Sequence, residues 1–330
     1  MQHLYPWLVP YYQKITQAFL QGHGHHALLF KTEQGLGTEQ LIQQLSRWLI
    51  CQNKQQEQAC NHCHSCQLFN ANNHPDIYSL APIENKDIGI DQVREINEKV
   101  SQFAQQNGNK IVLIKGANRL TESAANALLK TLEEPRENTY FLLQTDIASS
   151  LLATIHSRCQ TWLIKIPTEQ ETLTWLHTQH NAEIKEIQTA LRINYGRPLL
   201  ALNSLQENIL DKRVEFLRQF WKFYSKRSPL ELLPFFDNNL IDQQLDWINS
   251  FFIDALKSKL AIQESQINQD LKKGILLFAD ANSIQGLLQA SQIIQKVRLD
   301  LMQINGVNQE IILLDGLTKL ITEIFEKTPQ

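Results

Sequence analysis

Four of the five cysteines lie within one stretch of sixteen residues, and their spacing is that of a metal site. They are Cys51, Cys60, Cys63 and Cys66. A C-x2-C step delivers two thiolates to one ion, and zinc prefers four soft ligands in a tetrahedron. A shell closed by four thiolates leaves no open position for catalysis, so the pattern predicts a structural zinc ion.

Three histidines near the cysteines are alternative ligands. His62, His64 and His74 are predicted to be solvated loop residues, because four thiolates already complete the shell. Free cysteines in a loop are the other reading, and the two overlapping C-x2-C steps disfavour it. In a reducing compartment such a cluster indicates a metal site rather than a disulfide framework.

A second feature is a loop with the position, but not the residues, of a phosphate-binding loop. A working loop reads G-x-x-x-x-G-K-[ST], in which the Lys neutralises phosphates and the hydroxyl holds magnesium. Aligned on Gly37, the first Gly becomes Thr32, the Lys becomes Thr38 and the Ser/Thr becomes Glu39, while Gly35 lies within the loop. A carboxylate at this point repels phosphates, so ATP binding is disfavoured.

A second acidic motif is also missing. A hydrolysing enzyme of this kind carries Asp-Glu after its third strand to hold magnesium and polarise water. This chain has Lys115 and Gly116 there. Taken alone, the loop favours an ordinary α/β domain with a Gly-containing turn that never bound nucleotide.

Short apolar runs alternate with helical patterns in the first half, and they predict the framework that positions these residues. The predicted strands are His26–Phe30, Asp76–Leu80, Lys110–Ile114, Tyr140–Thr145 and Thr161–Ile166. The predicted helices are Glu39–Leu49, Gln92–Gln105, Glu122–Glu133 and Ala148–Ser157. The alternation predicts an α/β domain with a parallel five-stranded sheet and flanking helices.

The helix predicted at Glu122–Glu133 has the clearest signals. Thr121 is a suitable N-cap, and Pro135 stops the helix. One face is apolar and should be buried; its residues are Ala125, Leu128, Leu129 and Leu132.

After Pro167 the strand signal fades and the chain becomes helical. Residues Thr168–Gln206 form a small helical unit, interrupted near Gly196. The helices predicted beyond it include Val214–Tyr224, Trp247–Leu260, Ser283–Met302 and a last helix that begins at Asn308. Aromatic residues there, such as Trp221 and Phe251, are predicted to be core residues rather than base-stacking groups.

The bulk properties are those of an ordinary globular protein. The 330 residues are 43% hydrophobic, and the formal net charge is -3, which disfavours a strongly cationic DNA-coating surface. No apolar run is long enough to span a bilayer, and Met1–Pro10 lacks the pattern of a signal peptide. These observations predict a cytoplasmic location without membrane partners.

Two segments resemble the signature motifs of bacterial clamp-loader subunits, which are AAA+ proteins. Residues Ala124–Pro135 match the signature helix, and Leu151–Cys159 ends in the Ser-Arg-Cys motif of that family. The cysteine insertion also follows the first helix, as in the family. The broken phosphate loop is similar to that of the δ′ branch rather than to the hydrolysing γ and τ subunits of the bacterial DNA polymerase III clamp loader. The last third matches mainly in length and helical character, with a short similarity at Gly306–Asn308.

The resemblance implies a three-domain organisation and a set of partners. The domains are an AAA+ nucleotide-binding-like domain at 1–166 with a zinc-binding insertion at about 51–66, a helical lid at 167–207 and a helical collar at 208–330. The collar is expected to join δ and γ/τ subunits in a hetero-pentameric ring. That ring places the sliding clamp on primed DNA during replication. The chain itself is expected to bind no ATP and to have no intrinsic ATPase, as one component of a polymerase holoenzyme.

The resemblance also gives a role to one arginine. In the family, the Arg of Ser-Arg-Cys reaches into the ATP site of a neighbouring γ subunit, so Arg158 is expected to be an arginine finger that acts in trans. Ser157 and Cys159 are expected to be structural. The lid arginine of hydrolysing relatives aligns with Leu199, so Arg197 is not expected to sense nucleotide.

Two other functions remain open on the sequence alone. The chain could be an ATPase with an atypical loop, which Thr38, Glu39, Lys115 and Gly116 argue against. It could also be a zinc-dependent nucleic-acid-binding protein. Few basic or aromatic residues surround the cysteines, only Lys54 and Phe69 in the segment 52–73, so support for that reading is thin.

Overall fold

The computed structural model describes residues 4–83, 86–262, 266–303 and 308–325. The chain forms two compact units, Met1–Pro167 and Thr168–Gln330. The finer division of the second unit at residue 207 stays a prediction. Gly306 and Val307, part of the short similarity noted above, lie outside the described residues.

The first unit is built on a sheet of five parallel strands, as predicted. In chain order they are β1 Ala27–Thr32, β2 Ile77–Leu80, β3 Lys110–Lys115, β4 Thr139–Asp146 and β5 Gln160–Leu163. Their order across the sheet is β2-β3-β4-β1-β5, so β1 lies between β4 and β5. The loop that follows β1 therefore leaves from the interior of the sheet, where a phosphate loop of this fold class is found.

Helices of the first unit cover both faces of this sheet. They are α1 Val9–Leu20, α2 Thr38–Ile50, α3 His64–Asn70, α4 Ile90–Ser101, α5 Glu122–Glu133 and α6 Ala153–His156. On one face, alternate strand residues such as Leu29 and Val112 pack in a single apolar cluster with Leu128 of α5. On the other face, the Phe19 ring of α1 contacts Trp48 of α2 and Tyr140 of β4.

The signature helix α5 has the predicted bounds and the predicted cap. The Thr121 hydroxyl accepts a hydrogen bond from the backbone N–H of Ala124 at 3.2 Å. Leu128 and Leu132 are fully buried, whereas Leu129 is only partly buried against the same cluster. The apolar face therefore fixes which side of α5 meets the sheet.

Two predicted helices are shorter in the structure. The prediction extended α4 to Gln105, but the helix ends at Ser101, because the buried Lys110 side chain donates hydrogen bonds to the carbonyl oxygens of Val100 and Gln102. The prediction for Ala148–Ser157 was also too long: only α6, Ala153–His156, is helical. The segment before it is a turn capped by the Asp146 carboxylate, which accepts from the N–H of Ala148 at 2.8 Å.

The described part of the second unit is helical. Its helices are α7 Glu169–Gln179, α8 Ile184–Ile193, α9 Pro198–Gln206, α10 Ile209–Lys226, α11 Ile241–Lys259, α12 Lys272–Ala281, α13 Ile284–Gln303 and α14 Gln309–Lys319. Asn308 caps α14 as predicted, and a π-helical turn at Leu320–Phe325 follows. The predicted core roles are confirmed: Phe251 is buried, and Trp221 packs against the same cluster. Among the described residues, no helix is long and apolar enough to cross a bilayer.

Candidate functional site

The structure brings the four predicted cysteine ligands together. The sulfur atoms of Cys51, Cys60, Cys63 and Cys66 all lie within 4.8 Å of one another. The Sγ–Sγ distances are 3.5 Å between Cys51 and Cys60 and 4.0 Å between Cys60 and Cys66. Four sulfurs at the usual Zn–S length of about 2.3 Å are about 3.8 Å apart in a tetrahedron, so the cluster has the size that a zinc ion requires.

Separate elements position these ligands. Cys51 follows the last residue of α2, and Cys66 lies in α3, a helix that the spacing alone did not predict. The N–H of Cys60 donates to the sulfur of Cys51, and the N–H of Cys63 donates to the sulfur of Cys60, both at 3.3 Å. Such bonds orient the sulfurs and stabilise thiolates, as is common around metal ligands.

The electrostatics of the cluster favour a bound cation. Burial opposes ionisation of Cys63, but hydrogen bonds from the backbone N–H groups of Cys66 and Gln52 lower its pKa to about 6. Burial raises the pKa of both Cys51 and Cys66. Four ionised thiols crowded together need a compensating charge, and a bound divalent cation supplies it.

The neighbouring histidines do not share one environment. His62 is exposed, and its Nδ1 lies 2.7 Å from the carbonyl oxygen of Cys60. His64 is also exposed. The prediction of a solvated loop residue was wrong for His74, which is 8% exposed and accepts a hydrogen bond at Nδ1 from the N–H of Asp76. Its burial follows from its position at the entry to β2, which the local sequence did not reveal.

The cysteine segment is attached to the first two helices. The Tyr12 hydroxyl donates to the carbonyl oxygen of Glu57 at 2.7 Å, and the Trp48 indole N–H donates to that of Gln56 at 2.8 Å. Lys54 lies above the Trp48 ring and donates to the carbonyl oxygen of Cys51. The segment is therefore fixed to the α/β unit rather than presented to solvent as a separate module.

The loop after β1 keeps the backbone form of a phosphate loop. Gly35 and Gly37 have φ angles of 89° and 73°, a region that favours glycine. Gly37 precedes the first residue of α2, so the helix N-terminus faces the loop. The backbone thus retains the turn and helix dipole that bind phosphates in working loops.

The side chains of that loop make other contacts. The hydroxyl of Thr38, at the lysine position, is buried and lies 2.6 Å from the hydroxyl of Thr32. Glu39, at the magnesium position, is exposed and accepts a hydrogen bond from Gln144 of β4 at 2.7 Å. Neither side chain can neutralise a phosphate, and the carboxylate adds negative charge.

The N-terminal segment packs against the same loop. The Trp7 indole N–H donates to the carbonyl oxygen of Leu36 at 2.8 Å, and the Tyr5 and Trp7 rings are stacked. The N–H of Tyr5 donates to the side chain of Gln40 on α2. These contacts hold the loop in one conformation.

The end of β3 carries no carboxylate at the position of the missing acidic motif. Lys115 ends the strand with its side chain exposed. Gly116 follows with a φ of 70°, and a side chain there would be strained. The loop and the strand end therefore both lack the groups that hold magnesium.

Arg158 lies just after α6, and its guanidinium is fixed by its own chain. Nε donates to Oε1 of Glu133 at 2.7 Å, and Nη2 donates to the same oxygen. Nη1 donates to the carbonyl oxygen of Thr154 at 2.8 Å and to the hydroxyl of Ser157 at 3.3 Å. The side chain remains 28% exposed, so it is accessible at the surface of the first unit.

The residues on either side of Arg158 have structural contacts, as expected. The Ser157 hydroxyl donates to the carbonyl oxygen of Thr154. Cys159 packs against the apolar cluster under α5, and burial raises its pKa to about 12. Both residues hold the turn that presents Arg158.

Comparison with known proteins identifies the family. The family model described as "DNA polymerase III, delta subunit" matches residues 9–168, and "DNA polymerase III, delta subunit, C terminal" matches residues 207–322. DNA polymerase III subunit delta′ of Haemophilus influenzae is 57% identical over 99% of both chains. The chain belongs to the DNA polymerase III delta′ family. The delta′ subunit of Escherichia coli K12 is 35% identical over 96% of this chain and 95% of that protein.

A solved structure supports the fold. A DNA polymerase III gamma subunit-related protein from Thermotoga maritima aligns over 95% of this chain and 99% of its own, with a TM-score of 0.51 and 17% identity. At that identity the likeness concerns the fold alone. The AAA+ fold predicted for this delta′ family member is thus confirmed.

Proposed function

We propose that this chain is a non-hydrolysing subunit of the DNA polymerase III clamp loader and that it donates Arg158 to the ATP site of a neighbouring subunit. The observation that carries the proposal is a contrast within one unit. The loop that should bind phosphates has Thr38 and Glu39 at its two functional positions, while Arg158 is presented at the surface.

On this proposal, the loop after β1 neither binds ATP nor supports its hydrolysis. The hydroxyl of Thr38 makes a buried contact with that of Thr32, and a hydroxyl cannot supply the positive charge of the missing lysine. A carboxylate near the phosphates of ATP repels them, by about 4 kcal/mol for unit charges at 4 Å near a protein surface. Without the lysine or any group to hold magnesium, the favourable backbone of the loop does not compensate.

Arg158 has the chemistry that a finger requires. A guanidinium stabilises the negative charge that develops on a transferred phosphoryl group, and it stays charged at every physiological pH. Supplied in trans, such a group accelerates hydrolysis by about 10³–10⁵-fold, which is roughly 4–7 kcal/mol. Its place in a Ser-Arg-Cys motif after a short helix matches the motif of clamp-loader subunits.

The proposed partners are other subunits of the clamp loader. We propose that the chain joins δ and γ/τ subunits in a hetero-pentameric ring through its helical second unit. The complex then acts on the sliding clamp and primed DNA in the cytoplasm. The names of the relatives support a role in the polymerase III assembly; the ring and its order belong to the proposal.

The metal is proposed to be zinc, with a structural role. Cys51, Cys60, Cys63 and Cys66 supply a complete set of soft ligands at tetrahedral spacing. When bound, the ion would supply charge compensation and cross-link the segment between α2 and α3. The chain's own N–H groups hold the sulfurs in place.

Nucleotide titration tests the silent site. We expect the isolated chain to show no saturable binding of a fluorescent ATP analogue under conditions in which an isolated γ subunit binds it. Saturable, magnesium-dependent binding by the isolated chain would contradict this part of the proposal and favour an ATPase with an atypical loop.

Substitution tests the finger. Arg158→Ala in a reconstituted ring should lower DNA-dependent ATP hydrolysis at the adjacent site by about 10³-fold, while ring assembly is unchanged. Arg136→Ala is a matched control, because Arg136 stacks on the exposed Phe103 ring in the same unit and has no assigned role in hydrolysis. Equal hydrolysis by the Arg158 and Arg136 variants would refute the finger.

A further inference from the structure

The carboxylate of Glu133 holds the guanidinium of Arg158 along one edge. Nε and Nη2 of Arg158 both donate to Oε1 of Glu133, while Nη1 is directed to Thr154 and Ser157 of the same turn. Nε and Nη2 form the side edge of the planar guanidinium. The second Nη2 proton points away from Glu133, and it can donate a hydrogen bond to a phosphoryl oxygen of a neighbouring ATP site.

Glu133 and Arg158 are both positioned by elements that pack on the core. Glu133 is the last residue of α5, and the carbonyl oxygen of Leu132 just before it lies 2.7 Å from Nε2 of His26 at the entry to β1. Leu132 and Ile155 of α6 are fully buried in one apolar cluster. The end of α5 and the turn that carries Arg158 therefore pack on the same apolar cluster. This packing sets the distance between the side chains of Glu133 and Arg158.

The contact contributes little to stability. The side chains of Arg158 and Glu133 are 28% and 48% exposed, and ion pairs with that exposure contribute little to the free energy of unfolding. An arginine side chain, in contrast, loses considerable rotamer entropy when it is fixed. A carboxylate that restrains the guanidinium before the neighbour arrives removes part of that loss from the transition state.

We propose that Glu133 is a positioning residue of the arginine finger. It restrains Arg158 in the isolated chain and keeps it oriented when the neighbouring ATP site is assembled. This inference rests on the proposed function of Arg158. It assigns a role to the first glutamate of the Leu-Glu-Glu-Pro sequence that ends α5.

The test uses Glu133→Ala in the reconstituted ring, with Glu134→Ala as the matched control. Both are exposed acids at the same helix end, and alanine is well tolerated there because an acid at a helix C-terminus is unfavourable. We expect Glu133→Ala to lower kcat for ATP hydrolysis at the adjacent site by about 3–10-fold with KM for ATP and ring assembly unchanged. Glu134→Ala should behave as the unsubstituted chain.

A double substitution tests whether Glu133 acts on hydrolysis through Arg158. If Glu133 acts through Arg158, Glu133→Ala combined with Arg158→Ala should be no slower than Arg158→Ala alone. An unchanged or increased kcat for Glu133→Ala, in a ring where Arg158→Ala is strongly impaired, would overturn the positioning role and leave the finger intact. An unimpaired Arg158→Ala ring would instead refute the proposed function on which the inference depends.

A spectroscopic measurement on the isolated chain gives an independent readout. In a ¹⁵N correlation spectrum, the Nε–H of Arg158 should be protected from solvent exchange, and Glu133→Ala should abolish that protection while Glu134→Ala does not. Rapid exchange of this proton in the unsubstituted chain would overturn the inference whatever the ATPase shows.

Discussion

Thr38 and Arg158 are the two residues on which the proposed division of labour between subunits depends. The hydroxyl of Thr38 bonds to Thr32 inside the loop, at a position where a lysine would reach the phosphates. Arg158 is partly exposed, and its guanidinium donates to Glu133 at the end of α5 and to the carbonyl oxygen of Thr154. On the proposed function, the loop without a lysine binds no ATP and Arg158 acts at the ATP site of a neighbouring subunit.

The first prediction at this scale concerns the metal. Cys60→Ser should abolish binding of the proposed zinc ion and lower the melting temperature of the first unit, because one of the four thiolates is lost and the segment between α2 and α3 loses its cross-link. Metal analysis of the purified chain and a thermal scan measure both effects. Cys159→Ser, which lies outside the cluster, should keep the full zinc content; equal zinc in both variants would contradict the assigned ligand set.

A second prediction concerns a buried carboxylate that fixes the segment between α4 and β3. Asp76 is fully buried, and its two oxygens accept hydrogen bonds from the N–H groups of Gln105 and Gln106 at 2.7 and 2.9 Å. Asp76→Asn should destabilise the fold by about 1–3 kcal/mol, since one N–H then faces an amide donor. Urea unfolding measures this, and the exposed Asp91→Asn should change little; equal stability of both variants would be contrary to the account.

At the scale of elements, α5 was predictable because its signals are local. The cap at Thr121, the apolar face and the stop at Pro135 all lie within the helix or next to it, and its bounds agree with the prediction. The end of α4 was not predictable, since it depends on the buried Lys110 side chain, which lies outside the helix and binds the carbonyl oxygen of Gln102. Segment length and periodicity carry no information about such tertiary contacts.

The candidate site also contains features that local sequence predicts and features that it does not. Cysteine spacing predicted the metal cluster, because a C-x2-C step constrains geometry locally. The contact between Glu133 and Arg158 joins residues 25 positions apart, and no local pattern indicates it. The resemblance identified Arg158 but assigned no partner to it.

A further prediction concerns the pH dependence of a contact between helices of the second unit, formed by Tyr195, Asp246 and Arg298. The Tyr195 hydroxyl, between α8 and α9, donates to the Asp246 carboxylate of α11 at 3.0 Å, and Arg298 of α13 lies 3.5 Å from the same carboxylate. Burial raises the pKa of Asp246 above its ordinary value, although Tyr195 and the cations Arg298 and Arg197 lower it. A carboxyl with a raised folded-state pKa stabilises the fold below its unfolded pKa, and that contribution is lost as the pH rises through the folded pKa.

The unsubstituted chain should therefore lose stability relative to Asp246→Asn as the pH rises from about 4 toward neutrality. Denaturant unfolding of both proteins across that range measures the difference, which removes the contributions of other groups. Asp242→Asn, an exposed position on the same helix, should show a smaller pH dependence. A difference that moves in favour of the unsubstituted chain with rising pH would show that the charged carboxylate is the stabilised form.

At the scale of the whole molecule, the alternation of strands and helices was enough to predict the parallel sheet and the change to an all-helical second unit. The division of that unit into lid and collar remains a prediction. The two family models match residues 9–168 and 207–322, so the similarity to DNA polymerase III subunits extends over both units. We propose that the chain contributes to ATP hydrolysis at a neighbouring site without hydrolysing ATP itself.

Single-turnover hydrolysis tests that claim most directly. ATP is bound to the reconstituted ring in excess of the nucleotide, and hydrolysis is started by adding primed DNA, so that binding and product release do not limit the rate. With Arg158→Ala we predict that ATP still binds but that hydrolysis at the site beside this chain slows by about 10³-fold. A single-turnover rate equal to that of the unsubstituted ring would contradict the account.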